Sequence, residues 1–140
     1  MRVVGFNFDK ISVEKFKDRA QQIKINTNID ISEINPIESD LLKIKESLVQ
    51  VKFSYKIKYE PEYAEIGLKG TAIISMDEKQ AKEVAKEWKK KQMPEEFSIF
   101  LFNVLIRKSS LRALSLEDEL NLPLHMPMPA LNQQKPQKEK

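Results

Sequence analysis

The stretch VQVKFSYKIKY, residues 49–59, decides how this chain folds. Apolar or aromatic side chains occupy every odd position from Val49 to Tyr59, and the even positions hold glutamine, serine or lysine. Side chains on a β-strand point alternately to its two faces, so this period of two predicts a strand with one buried and one polar face. Sheets made of such strands are antiparallel and are covered on one side only.

Three other segments show the same alternation and predict the rest of the sheet. They are residues 2–16 (RVVGFNFDKISVEKF), 22–31 (QIKINTNIDI) and 64–76 (AEIGLKGTAIISM). The short connection at residues 60–64 is typical of a hairpin, whereas residues 32–47, interrupted by Pro36, suit a longer crossing. We therefore expect four antiparallel strands joined as a meander.

The pattern changes to that of a helix after Asp77. Asp77 with Gln80 resembles a capping box, an arrangement that begins helices. The apolar stripe that follows consists of Ala81, Val84, Ala85 and Trp88. A second helix is expected from about 95 to 114, because Pro94 suits a first helical turn. The prediction is an α+β domain over residues 1–131: a four-stranded antiparallel β-meander with two C-terminal helices packed on one face.

The segment FSIFLFNVLI, residues 97–106, is apolar nearly all round its predicted helix. A helix that covers one face of a sheet needs a single apolar stripe, about 100° wide. This helix has a second apolar face, which consists of Ile99, Phe102 and Ile106. We expect that face to be the interface of a homo-oligomer, a dimer or a tetramer, where the same helix of another subunit covers it. The alternative is cover by residues 78–91 and 115–131 of the same subunit.

Composition limits the class of protein. The chain has 140 residues, 41% hydrophobic and 32% charged, and no cysteine, which rules out disulfides and thiolate metal sites. Its longest nearly uncharged apolar run has ten residues, too short to span a bilayer, and its N-terminus does not follow a signal-peptide layout. We expect a cytoplasmic protein with no membrane partner. We expect residues 132–140 to form a flexible basic tail, since they contain three lysines and one glutamate.

His125 is the only histidine, so a metal or catalytic site around it would need carboxylates as partners. The nearest are Glu117, Asp118 and Glu119, at the expected end of a helix rather than in a ligand loop. The sequence contains no glycine-rich phosphate loop and no nucleophile elbow. We expect no enzyme activity, no metal and no cofactor.

Lysines recur on the predicted polar face of the sheet, at Lys24, Lys52, Lys56, Lys58 and Lys69. If their strands are neighbours, these side chains would form a basic patch facing a partner, and a nucleic-acid-binding module is the alternative function. Single-stranded nucleic acid is usually bound with exposed aromatic rings beside the cations, and here the aromatic residues fall on helices or on the buried face. A solvated lysine face is the preferred interpretation, so nucleic acid is not the expected partner.

The helical region is followed by LNLPLHMPMPAL, residues 120–131. Prolines at positions 123, 127 and 129 favour an extended backbone, and leucine and methionine fill most positions between them. Methionine adapts to irregular contacts, so we expect a strap that lines or closes an apolar groove. Packing of the chain end into the core is the alternative.

This order of elements and the LNL-P motif resemble the SecB family of bacterial export chaperones and its SecB-like relatives. The resemblance centres on Leu120, Asn121, Leu122, Pro123 and Leu131, and on the aromatic start of the long helix at Phe97 and Phe100. It implies an ATP-independent holdase that binds unfolded polypeptide in apolar grooves between helix and sheet, assembled as a dimer of dimers around the long helices. The residues expected to contact the client are Trp88, Phe97, Phe100, Phe102, Leu124, Met126 and Met128.

Two features differ from the family's pattern. Bacterial members engage the motor protein SecA through carboxylates on the sheet, whereas this sheet carries lysines, and the tail lacks the metal-binding cysteine and histidine residues of many members. The resemblance therefore leaves open whether the protein serves export, a toxin–antitoxin system or neither. A structural homo-oligomeric scaffold is a further alternative.

Overall fold

The structure, a computed structural model, describes residues 1–19, 22–37 and 46–127. Its elements are β1 (Arg2–Lys15), β2 (Lys24–Ile37), β3 (Ser47–Glu60), β4 (Ala64–Met76), α1 (Glu78–Trp88) and α2 (Glu95–Glu119). The predicted α+β class with four strands and two helices is confirmed. The expected tail, residues 132–140, and Met128 lie outside the described residues. Within those ranges no helix combines the length and the apolar content that crossing a bilayer requires.

The strands form one antiparallel sheet in the order β1-β4-β3-β2. The predicted meander is therefore correct for β2, β3 and β4, but β1 pairs with β4 on the far side and not with β2. Crossing three strand spacings requires about 14 Å, and the eight-residue connection between β1 and β2 can span about 26 Å. Alternation in the sequence identifies strands and their faces, but it does not say which strands are neighbours.

Both helices cover the same face of the sheet, as predicted. The inward side chains of the two central strands are buried along their length, as Val51 on β3 and Ile66 on β4 illustrate. The first helix and the N-terminal half of α2 close one end of this core through Val84 and Leu101. The C-terminal half of α2 closes the other end through Leu116. The side chains of β1 and β2 are mostly half-buried or exposed, because these strands form the edges of the sheet.

The predicted helix starts are confirmed. The Asp77 carboxylate accepts a hydrogen bond of 2.7 Å from the Gln80 backbone N–H, and the Gln80 side chain accepts one from the Asp77 backbone, which completes the capping box. Helix α2 begins after Pro94 but continues to Glu119, five residues beyond the expected end. It continues because Leu116 still faces the core.

The LNLP motif is the signal that ends α2. Asn121 has a φ of 54°, a left-handed conformation that asparagine tolerates better than most residues. The Leu122 N–H then donates to the Glu117 carbonyl at 2.8 Å, a bond that closes many helix C-termini, and the Leu122 side chain is buried beneath it. Pro123 cannot extend the helix. The chain therefore reverses at Asn121 and lies back along the body of the molecule.

Candidate functional site

A buried carboxylate stands at the end of α2, where the reversed chain meets the sheet. Glu117 is 0% exposed. Its Oε1 atom accepts a hydrogen bond of 2.7 Å from Nδ1 of His125, and its Oε2 atom accepts one of 3.0 Å from the His125 backbone N–H. The Tyr59 hydroxyl also donates to Oε2. Three donors thus satisfy a charge that would otherwise be costly to bury.

The other imidazole nitrogen of His125 faces the sheet. Nε2 lies 3.1 Å from the Tyr55 hydroxyl, which in turn lies 3.2 Å from Oγ of Ser110. An ionised carboxylate only accepts hydrogen bonds, so Nδ1 carries a proton. We call Glu117, His125, Tyr55, Tyr59 and Ser110 the anchor network. Within it, every polar side-chain atom has a partner.

The two tyrosines of the network are held in their neutral form. Burial raises the pKa of Tyr55, with a smaller contribution in the same direction from the Glu117 charge, and the hydrogen bond with Ser110 opposes both. Burial also raises the pKa of Tyr59 far above its usual value, and the hydrogen bond to Glu117 and the charge of Glu117 raise it further. Both hydroxyls therefore keep the protons that the network needs as donors.

The anchor network joins a serine, a histidine and a carboxylate, but its geometry is structural. The Ser110 hydroxyl contacts Tyr55 and not His125, so no base is in place to activate it. Ser110, Tyr55 and Glu117 are all buried, which leaves no room for a substrate beside them. In residues 1–19, 22–37 and 46–127, no three histidine or carboxylate side chains are grouped closely enough to hold a metal ion.

Residues 122–127 are the described part of the segment predicted to be a strap, and their side chains point in two directions. Leu122 and His125 point into the molecule, whereas Leu124 is 43% exposed and Met126 is 38% exposed. The Pro123 carbonyl oxygen lies 2.8 Å from the Tyr59 hydroxyl. The strap is thus attached mainly through polar groups, and it presents apolar side chains to solvent.

An open groove begins where the strap leaves α2. It lies between the β1–β2 connection and the strap, and its lining side chains are Asp18, Arg19, Ile23, Tyr63, Asn121, Leu122 and Pro123. None of these residues belongs to the predicted client-binding set. Tyr63 was not expected here because it sits in the hairpin between β3 and β4, where the alternation ends. The groove meets the strap at Leu122 and Pro123.

The second apolar face of α2, called the outer face below, is present, and no described residue covers it. Ile99 is 57% exposed and Ile106 is 45% exposed, and Phe102 between them is half-buried. Neither α1 nor the described part of 115–131 shields this face. The structure therefore keeps open the interpretation of this face as a subunit interface.

The predicted client-binding residues occupy three different places. Phe97 is only 2% exposed and is a core residue, because its side chain starts the inward stripe of α2. Trp88 and Phe100 pack as half-buried side chains on the edge of the same core cluster, and Phe102 belongs to the outer face of α2. Only Leu124 and Met126 lie on the strap itself, and Met128 is outside the described residues.

The five lysines lie on the polar face of the sheet, as predicted, but carboxylates lie among them. The Lys52 ammonium is 3.8 Å from Glu33, and the Lys56 ammonium is 3.4 Å from Glu65. Two more lysines stand across the ladder from a glutamate: Lys24 opposite Glu60, and Lys58 opposite Glu65. Such a mixed face gives no concentrated positive field, so the geometry does not favour a nucleic-acid interface.

Comparisons with known proteins identify the fold. No family model and no curated protein matches the sequence. The chain is similar in structure to Rv1957, a SecB-like chaperone of Mycobacterium tuberculosis solved in complex with a ChAD peptide from the antitoxin HigA1. The TM-score is 0.52 over 96% of this chain and 92% of that chain, at 12% sequence identity. The fold is therefore SecB-like, as the sequence resemblance predicts.

Proposed function

We propose that this protein is an ATP-independent holdase, a cytoplasmic homo-oligomer that binds non-native polypeptide without catalysis or a cofactor. The observation that carries the proposal is the apolar surface on the helical side of the molecule. Its exposed members are Ile99 and Ile106 on the second apolar face of α2, and Leu124 and Met126 on the strap. Large exposed apolar surfaces in soluble proteins usually serve association. The SecB-like fold supports the same function, since a structural neighbour was solved with a peptide bound.

The client would bind on the strap and in the groove beside it. Leu124 and Met126 supply flexible apolar contacts, and the groove, which meets the strap at Leu122 and Pro123, adds Ile23 and Tyr63. Methionine and leucine accommodate varied partners, which a protein that holds unrelated unfolded chains requires. Trp88 and Phe100 are half-buried at the edge of the core, so they would enlarge this surface only if a client displaced their neighbours.

The other apolar surface, the outer face of α2, would join two subunits. In an antiparallel pair of α2 helices centred between positions 102 and 103, Ile99 of one copy lies beside Ile106 of the other. Glu96 in the acidic first turn then approaches Arg107 of the other copy, and the same pair forms again by symmetry. The face is thus complementary to itself in both apolar content and charge.

Replacing Ile106 with glutamate is expected to dissociate the oligomer. Two symmetry-related glutamates would lie in the apolar centre of the α2 pair, where neither finds a cation. Solution mass by sedimentation equilibrium should fall to that of a monomer. The matched control is Leu111→Glu, since Leu111 is also exposed on α2 but lies away from the outer face, and its mass should be unchanged. Equal masses for wild type and Ile106→Glu would contradict the proposed interface.

The protein should suppress aggregation of a denatured client in the absence of nucleotide. Light scattering from thermally unfolded citrate synthase gives the measurement. The double variant Leu124→Ala, Met126→Ala should need about tenfold more protein for equal suppression, because it loses the exposed apolar contacts of the strap, whereas Leu111→Ala should behave as wild type. A monomer without suppression would contradict the proposal.

The nucleic-acid alternative requires salt-sensitive DNA or RNA binding that is lost when the five lysines are neutralised.

A further inference from the structure

We propose that Glu117 and His125 are positioning residues for client binding: the anchor network fixes the strap so that Leu124 and Met126 face the client. This inference rests on the proposed function. Neither residue is exposed enough to contact a client itself, since the His125 side chain is 5% exposed and that of Glu117 is 0% exposed. Their effect on binding must therefore pass through the strap.

The attachment of the strap is polar where an apolar one would be expected. Leu122 is its one buried apolar side chain among the described residues 122–127. The remaining contacts are the backbone N–H and both ring nitrogens of His125, together with the Pro123 carbonyl. Burial of apolar surface is favourable, so a free strap would tend to turn Leu124 and Met126 inward. The network opposes that rotation.

The position of His125 fixes the positions of its two neighbours. The ring of His125 is held inward, and the side chains on either side of it, Leu124 and Met126, are exposed. The hold comes from both layers of the fold, since Tyr55 and Tyr59 belong to β3 and Ser110 and Glu117 belong to α2. A strap fixed to two layers presents its apolar contacts in one place, which reduces the ordering cost of binding.

A thermodynamic cycle tests this role. The probe is reduced, carboxymethylated α-lactalbumin, a permanently unfolded chain, and its Kd is measured by fluorescence anisotropy. His125→Ala should weaken binding about tenfold, as should the double variant Leu124→Ala, Met126→Ala. Because His125 acts only through those two side chains, the triple variant should bind no more weakly than the double variant. Tyr55→Phe removes only one of the hydrogen bonds of His125, that at Nε2, so it should weaken binding less than His125→Ala does.

The results separate this inference from the proposed function. If the wild-type protein does not bind the probe, the proposed function itself is wrong. If wild type binds but the double variant binds equally well, the client site lies elsewhere, and the positioning role is overturned while a holdase activity stands. Additive losses in the triple variant, or unchanged binding by His125→Ala, would also overturn it. Circular dichroism spectra and urea midpoints establish that each variant is folded at the assay temperature.

The single histidine gives a direct readout of the network in the same samples. Long-range proton–nitrogen correlation spectra of the wild-type protein should show a proton on Nδ1 of the ring, as the hydrogen bond to Glu117 requires. A ring protonated only at Nε2 would contradict the network. In Tyr55→Phe the proton on Nδ1 should persist, because the bond to Glu117 remains.

Discussion

Replacing Glu117 with alanine is expected to lower the free energy of unfolding by about 3–5 kcal/mol, because several buried donors lose their acceptor together. The His125 ring and backbone both donate to this carboxylate, and among the described residues neither donor has another acceptor. Tyr59 can still donate to the Pro123 carbonyl, so it contributes less to the loss. Urea unfolding followed by the fluorescence of Trp88, the only tryptophan, measures the effect.

The matched control is Glu119→Ala, two residues further along the same helix. Glu119 is exposed at the C-terminal end of α2, so its removal should change stability by no more than about 0.5 kcal/mol. Glu117→Gln should be intermediate, because the amide keeps one acceptor but presents donors where His125 also donates. A loss below about 1 kcal/mol for Glu117→Ala would mean that water replaces the carboxylate and that the site is not dry.

Sequence periodicity was sufficient for the elements of the fold but not for their arrangement. The alternation in β3 predicted its inner and outer faces, because one face of the sheet is buried and the other is wet. The placement of β1 beside β4 followed from no local pattern, since pairing between strands depends on contacts that are far apart in sequence. The reversal after α2 was visible in the LNLP motif, where Asn121 and Pro123 act in turn.

The structure places Phe97 and Glu117 in the core, whereas neither residue was assigned to it from the sequence. The buried stripe of α2 explains the difference. Six of its eight buried positions recur every four residues, at 97, 101, 105, 109, 113 and 117, and the other two are 110 and 116. Successive members of this series shift gradually around the helix axis. The face that is buried at the N-terminal end therefore does not predict which residues are buried at the other end. The sequence alone could identify Glu117 as the last, polar member of that series. It could not identify the partners of Glu117, because Tyr55 and Tyr59 lie on β3 and His125 lies on the strap.

The exposed surface was easier to anticipate than the network. The sequence predicted that one sheet could not cover Ile99 and Ile106, and no described residue covers them. The strap was expected to be apolar and extended and to line or close a groove, but composition did not say which of its side chains would be buried. The outward direction of Leu124 and Met126 depends on His125, whose hydrogen bonds could be recognised only once the fold brought Glu117 and Tyr55 to it.

Above about pH 10 the stability of the protein should fall steeply, because Tyr55 and Tyr59 lose their protons far more readily in the unfolded chain. Burial raises the pKa of both hydroxyls in the folded state from the usual 10.0. The folded protein therefore binds more protons than the unfolded chain in this range. Their contribution to stability is fully present below about pH 10 and is lost as the pH rises, by about 1.4 kcal/mol per pH unit for each tyrosine.

The Tyr59→Phe variant separates the contribution of these tyrosines to the pH dependence from that of the other charged groups, which both proteins share. Urea midpoints measured from pH 8 to pH 11 should decline about half as steeply for the variant as for wild type above about pH 10. Tyrosinate absorbance gives a second measurement, since at least two of the three tyrosines should ionise only as the protein unfolds. If all three ionise together near pH 10 while the fold persists, then water reaches the hydroxyls, and the strap does not seal Tyr55 and Tyr59 from solvent.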